Sequence, residues 1–499
     1  MIISKVFLKN IKNENVIIPN NEVFDLPEKV LQFGTGVLLR GLTDYFVDKG
    51  NREGLFNGRV AVVKSTSKGS TSDFDEQDSL YTICVRGIQN GKNIEENIIS
   101  SAISRVLVAD NDWNDILEIG KNPEVKLIVS NTTEVGIQLV KESIKNQTPA
   151  SFPAKLLAVL YARYKSLGDT EDADVVIIAT ELIPDNGTKL QSIVQELAAF
   201  NELETEFTNW LAKHALFCNS LVDRIVPGRP EGQALAKLED ELGYQDNLLL
   251  MAEPYRLWAI EGNERVASLL NQLEATDSGV IIKSDIEIYR ELKVRLLNGT
   301  HTLSCGIAHL AGIDTVAGGM SDTAVREYVT KVMQDEIAPA IPYQVPDGEA
   351  RAFANQVLDR FANPYIEHLW INITFQYTMK VKIRILPVLF QYYTQTNKVP
   401  KHIAFGFAAF LVFMRTAEKS GNQYYGNYKG EVYPINDDQA AYFSDKSKLD
   451  DSKYVSSILA DKTLWEADLA SIDNFIETVE EYYNGILKYD IKQALLSIS

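Results

Sequence analysis

Leu31-Gln32-Phe33-Gly34-Thr35-Gly36-Val37-Leu38-Leu39-Arg40 carries the decision about the fold. A short apolar run enters it, two glycines spaced Gly-x-Gly turn the chain, and a helical pattern leaves it. Gly34 suits a tight turn. Gly36 removes the side chain that would keep a phosphate from the backbone, and the helix start offers free N–H groups at its positive dipole end. Arg40 stands in the first turns, where a guanidinium could meet a phosphate. Residues 31–40 are therefore the expected dinucleotide contact, against the plainer alternative of a glycine turn with no ligand. Leu39 stands where the usual fingerprint has its third glycine.

Similar runs flank this stretch. Residues 29–33 (KVLQF), 59–63 (RVAVV), 126–130 (KLIVS) and 174–178 (DVVII) are continuous and β-branched, as expected of strands buried on both faces of a parallel sheet. They alternate with helical segments, which predicts an α/β fold with an N-terminal Rossmann-like, doubly wound domain. After about residue 284 the strand signal fades and helical stretches dominate at 285–310, 350–361, 402–418 and 464–487. The expected division is a dinucleotide-binding domain over 1–280 and a mainly helical substrate and catalytic domain over 281–499. The Gly-, Asn- and Tyr-rich interval 419–438 reads as a long surface loop.

Composition narrows the function classes. Lys+Arg 49 against Asp+Glu 68 gives a net charge of −19, which argues against nucleic-acid or anionic-membrane partners and favours a small soluble one. The longest apolar stretch, 403–414, is well short of the roughly 20 residues that span a bilayer and is read as a buried helix. Residues 1–12 lack a secretory h-region. Three scattered cysteines make neither a disulfide framework nor a zinc site and suit a reducing cytoplasm. Five histidines show no metal-ligand spacing, so no catalytic metal is expected. A monomer or small homo-oligomer is expected.

A second constellation lies in the helical pattern 285–310. At 100° per residue His301 falls about 80° and Asn298 about 140° around the helix from Lys293, so the three share one sector. Desolvation lowers the pKa of a lysine among apolar neighbours, making it a usable acid or base near neutrality. Gly299 is expected to let a ligand approach the backbone. Singly, each residue also has a structural explanation.

Lys293-x4-Asn298-x2-His301, Gly34-x-Gly36 and Val222-Asp223-Arg224-Ile225-Val226-Pro227 together resemble the polyol-specific long-chain dehydrogenase family, which includes mannitol 2-dehydrogenase and the hexuronate reductases. The segments 32–40, 77–82, 130–134, 153–156, 180–183 and 433–438 are similar to its altronate oxidoreductase (tagaturonate reductase) branch. The resemblance implies hydride exchange between NAD and a hexuronate or aldonate without a metal. Lys293 would be the general acid and base, and Asn298 and His301 would hold the substrate oxygen. It implies further cofactor contacts from Asn131, Thr133 and Glu134. Fructuronate reductase, another polyol dehydrogenase, or a non-catalytic nucleotide- or sugar-binding module remain the alternatives.

Three expectations hang on that resemblance. The second predicted strand ends in Lys64 and Lys68 without a carboxylate, which leaves NADP open beside NAD. The family's oxyanion asparagine aligns with Leu182, so Asn186 replaces it or the donor is absent in this branch. A substrate carboxylate needs a cation, and Lys380, Lys382 and Arg384 offer one, sharing one side if extended and scattered if helical. Read blandly, they are a solvated basic edge. Asp223 and Arg224 read as a structural ion pair or as groups orienting substrate hydroxyls.

Overall fold

The computed structural model describes residues 1–66, 69–132, 136–145 and 147–498. Two compact units divide the chain: Met1–Arg86 with Asn93–Ile286, and Gly87–Lys92 with Glu287–Ser499.

The first unit is built on six strands, β1 (Glu28–Phe33), β2 (Arg59–Lys64), β3 (Ile103–Val108), β4 (Leu127–Ser130), β5 (Val175–Ala179) and β6 (Ala215–Cys218). They lie in the order β3-β2-β1-β4-β5-β6, and every neighbouring pair is parallel. This is the doubly wound order, whose reversal between β1 and β4 opens a ligand crevice at the strands' carboxyl ends. The continuous apolar runs are explained by the pleat: consecutive side chains enter opposite cores. Val30, Val60, Val62, Val129 and Ile178 pack in one cluster, while Leu31, Phe33, Ala61, Val63, Ile128 and Ile177 pack in the other.

Edge strand β3 gives a weaker sequence signal because Ser104 and Arg105 interrupt it. Both reach Glu28, Ser104 Oγ at 2.6 Å and Arg105 through Nε and a terminal nitrogen at 2.9 and 3.0 Å. Smaller sheets surround the main one, Val16–Ile17 with Lys92–Ser100, Tyr81–Gln89 and Leu250–Ala252, and Ser220–Asp223 with Leu257–Glu261 and Val280–Lys283.

The second unit is mainly helical. Helix Lys401–Met414 is buried at every residue from Ile403 onward, as its apolar run predicts. Helix Thr300–Leu310 packs closely against it because a Cβ at Gly406 would lie 2.6 Å from Leu303 Cδ2. No described helix is long and apolar enough to cross a membrane.

The interval expected to be a long surface loop is instead a three-stranded antiparallel sheet, Thr416–Ser420, Gln423–Tyr428 and Glu431–Ile435. Its turn residues sit in two-residue hairpins, between the pairs Ser420–Gln423 and Tyr428–Glu431. Lys429 (φ 53°) and Gly430 (φ 90°) both have the positive φ of a type I′ turn, whose twist matches paired strands. The tyrosines between the turns are strand residues, and Tyr433 is buried.

Candidate functional site

The glycine turn sits at the carboxyl end of β1. Gly34 has φ +130°, and a Cβ there would lie 2.8 Å from the Asn131 carbonyl oxygen and 3.0 Å from Leu39 Cδ1, so glycine is required by both conformation and space. Gly36 caps the short helix Val37–Gly41. No described residue lies within 4 Å of the Cβ it lacks, and it is exposed. The backbone here is open to a ligand, as a pyrophosphate contact requires.

The missing third glycine is found two residues beyond Leu39. A Cβ at Gly41 would lie 2.8 and 3.0 Å from the two Val226 methyl carbons, so Gly41 performs the close packing that the fingerprint's last glycine provides.

Most other predicted contacts in residues 31–40 support the loop from beneath. Leu31, Phe33 and Leu39 are core residues, whereas Thr35, Val37 and Leu38 are half-buried. Gln32 Nε2 donates to the Gly34 carbonyl and to Asp44 Oδ2, both at 3.2 Å. Arg40 corrects the phosphate expectation. Its guanidinium is buried, donating to the Leu248 carbonyl at 2.5 Å and the Thr35 carbonyl at 3.3 Å, over the rings of Phe74 and Tyr81. It braces the glycine loop with its charge turned inward.

At the end of β4, Asn131 Nδ2 donates to the carbonyl and hydroxyl oxygens of Thr180 at 2.9 and 3.0 Å. Glu181 was not singled out, yet its carboxylate holds the adjoining backbone, accepting from Thr132 N at 2.8 Å and Ser130 Oγ at 3.2 Å. Thr133, Glu134 and Lys68 lie outside the described residues. Lys64 Nζ donates to the Thr66 carbonyl at 2.6 Å.

Two further expectations in this unit are corrected. Asn186 is buried, and its amide is spent on backbone: Nδ2 donates to the Glu181 and Ser220 carbonyls, and Oδ1 accepts from Gly187 N and Ser220 N, at 2.9–3.1 Å. It ties the end of β5 to Ser220–Asp223 and cannot serve as an oxyanion donor without breaking that tie. Leu182 is 66% exposed. Arg224 donates to the Glu253 and Gly41 carbonyls and lies 4.4 Å from the Tyr45 ring. Burial lowers its pKa to about 10. Its role is structural, and the neighbouring Asp223 is also buried.

In the second unit, Lys293, Asn298 and His301 occupy one continuous helix with a local change of pitch. Glu287–Leu292 is α-helical, Lys293–Gly299 is a π-helix, and Thr300–Leu310 is α-helical again. An i→i+5 ladder places residues five apart on nearly the same side, so Asn298 lies closer to the Lys293 side than an ideal α-helix allows. Lys293 and Asn298 are half-buried, and His301 is 8% exposed. Gly299 serves packing rather than ligand approach, because it is buried with its absent Cβ 3.4 Å from Ile385 Cδ1.

The His301 ring stacks on Phe361, with centroids 3.9 Å apart, and meets His368 and Trp370 edge-on at 5.1 and 5.8 Å. Its Nε2 is buried with no hydrogen-bond partner among the described residues. Burial first, then the positive fields of His368, Arg360, Arg384 and Lys380, hold its pKa well below the ordinary histidine value. The imidazole is therefore neutral near neutral pH, suited to hydrogen bonding rather than to carrying a charge. An orphaned nitrogen in such a place awaits a partner.

Helix Tyr377–Arg384 resolves the basic triplet. Lys380 and Arg384 lie one turn apart, whereas Lys382 is on another face and pairs with Glu466 at 2.7 Å. Arg384 donates to Thr302 Oγ1 at 3.1 Å and to the Asn298 carbonyl at 3.4 Å, beside His301. Among the described residues no group of three or more His, Cys, Asp or Glu side chains could hold a metal ion.

Residues 28–273 match the Mannitol dehydrogenase Rossmann domain, and residues 285–487 match the Mannitol dehydrogenase C-terminal domain. The Altronate oxidoreductase of Halalkalibacterium halodurans is 37% identical over 484 residues, covering 95% of this chain and 93% of that one. That of Bacillus subtilis is 35% identical over 486 residues, with 95% and 97% covered. Among solved structures, a substrate-free D-sorbitol dehydrogenase superposes with a TM-score of 0.78 at 21% identity, covering 99% of this chain and 100% of that one. A Pseudomonas fluorescens mannitol 2-dehydrogenase in ternary complex with NAD and D-mannitol gives 0.65 at 20%, with 100% and 99% covered. At such identities the two structures speak for the fold.

Proposed function

Because the chain belongs to the mannitol dehydrogenase family, we propose that it is an NAD-dependent oxidoreductase interconverting tagaturonate and altronate. The observation that carries this reading is the 37% identity to an altronate oxidoreductase over 95% of the chain. The open backbone at Gly36 beside the strained turn at Gly34 fits the pyrophosphate of a dinucleotide. NADH bound there would supply the hydride.

The chain's own residues would handle the oxygen. As hydride adds to the carbonyl carbon, the oxygen gains charge and takes a proton from the Lys293 ammonium, which solvent then replenishes. In the oxidative direction the neutral amine removes the hydroxyl proton. His301 Nε2, kept neutral and unpartnered, and the Asn298 amide would hold that oxygen while charge develops on it. The buried thiols of Cys84, Cys218 and Cys305 favour a reducing compartment, the cytoplasm, and a monomer or small homo-oligomer acting on a small sugar acid fits the family.

Purified protein mixed with NADH and tagaturonate should consume NADH absorbance, with a weaker response to NADPH. No loss of absorbance at saturating substrate would refute the assignment. Lys293→Ala should lower kcat by about 10²- to 10⁴-fold, the usual share of a positioned acid or base, with NADH binding retained.

A further inference from the structure

The second unit assembles cations around His301 with little to neutralise them. Lys380 spends one donor on the Ile373 carbonyl at 2.9 Å. Arg384 spends one terminal nitrogen on Thr302 Oγ1 and the Asn298 carbonyl. Burial is the larger cause of each lowered proton affinity, and beyond it the mutual effects are repulsive: Lys380 and Arg384 lower that of His301, Lys380 that of His368, and Arg384 that of Lys380. The opposing groups acting on Lys380 are the Cys305 thiol and then Asp437, whose oxygens already accept from Thr378 N at 2.7 Å and Gln439 N at 2.8 Å. In a chain of net charge −19, carboxylates are plentiful enough to neutralise a cluster whose purpose is structural. Lys382, half-buried on the same helix, has one in Glu466.

A mutually repelling set of cations beside a buried, unpartnered imidazole nitrogen is the arrangement an incoming anion relieves. One turn of helix separates Lys380 from Arg384, so two donors of different shape can meet the two oxygens of one carboxylate. We propose that Lys380 and Arg384 bind the carboxylate of the sugar-acid substrate, and that this pair makes the site prefer a uronate to the neutral ketose bearing a hydroxymethyl group instead. The proposal rests on the uronate reading given above. It assigns substrate choice to the helix Tyr377–Arg384, separately from the residues that manage the reacting carbonyl.

The test compares kcat/KM for tagaturonate with that for the neutral ketose of the same hydroxyl configuration, in wild type, Arg384→Gln, Arg384→Lys and Lys380→Gln. A hydrogen bond to a charged group is worth enough that the uronate-to-ketose ratio should fall about 10- to 100-fold in the Gln variants. The loss should be expressed mainly in KM, and Arg384→Lys should restore part of it. Lys382→Gln should leave the ratio at the wild-type value. Equal losses on both substrates in the Gln variants, or an unchanged ratio, would overturn the proposal.

Calorimetric binding of altronate and of the corresponding alditol, with NADH present, separates this idea from the assignment of activity. Binding of altronate that exceeds alditol binding, and that is lost in Arg384→Gln and Lys380→Gln, supports the carboxylate site even in a protein that turns over no tagaturonate. Equal binding of acid and alditol by the wild type would refute it whatever the enzyme reduces.

Discussion

Replacing Gly34 and Gly36 separately by alanine tests the glycine turn, because the structure gives the two positions opposite burdens. At Gly34 the added methyl would meet the Asn131 carbonyl oxygen at 2.8 Å and Leu39 Cδ1 at 3.0 Å, on a backbone with φ +130°. The conformation costs about 1–3 kcal/mol for a residue with a side chain, and overpacking adds about 1–3 kcal/mol. A loss of about 4 kcal/mol is expected, which lowers the unfolding midpoint of the first unit by about 10 °C.

Gly36, with φ −65° and ψ 156°, already has a conformation alanine adopts freely, and no atom of the described residues lies within 4 Å of the new methyl. The stability cost there is about 0.5–1 kcal/mol, that of a poorer helix cap. The methyl would instead stand where a pyrophosphate approaches, and NADH affinity should fall by at least about tenfold. Calorimetric melting and NADH fluorescence titration read the two effects. A Gly34→Ala midpoint within about 2 °C of wild type, or Gly36→Ala protein that binds NADH as tightly as the parent, would refute the reasoning.

Asn186→Leu should destabilise by about 2–4 kcal/mol in chemical denaturation, since it orphans two carbonyls and two N–H groups. A variant of undiminished stability but reduced kcat would return Asn186 to the substrate site. Burial raises the Asp44 carboxyl from 3.8 to about 7, against the lowering effects of Gln32, Arg40 and Thr43. The folded state then holds a proton that the unfolded chain releases near pH 4, so this contribution is complete below that pH and is lost as pH rises through about 7. Asp44→Asn removes the titration, so denaturation curves should show the variant gaining on wild type by up to about 4 kcal/mol between pH 4 and pH 7. A constant difference across that window would contradict the assignment.

The strands of the first unit were legible where burial on both faces leaves no polar interruption, as at 59–63 and 174–178. Edge strand β3 escaped notice because Ser104 and Arg105 face partners outside the core. The interval 419–438 misled because Gly and Asn mark hairpins and loops alike, and only the pairing of Tyr424 with Ile435 tells them apart. The glycine turn was readable from spacing, but its third member was not, because Gly41 owes its role to Val226, distant in sequence. Arg40 illustrates the same limit: position in a motif suggested a phosphate, and the Leu248 carbonyl claimed the charge. Lys380 and Arg384 could be separated from Lys382 only once the segment was known to be helical.

The π segment Lys293–Gly299 can also be viewed as a matter of residue count. A widened turn is what one surplus residue makes of an α-helix when its flanks are held in place. Deleting a single residue between Val294 and Leu297 would let the ordinary ladder close. The flanking turns would keep their places, because the widened turn is what absorbs the surplus. Lys293 and Asn298, then four residues apart in an ordinary α-helix, would still share a face. A further insertion between Lys293 and His301 would be different: unless the turn widens again, it swings Lys293 by about 100° relative to His301.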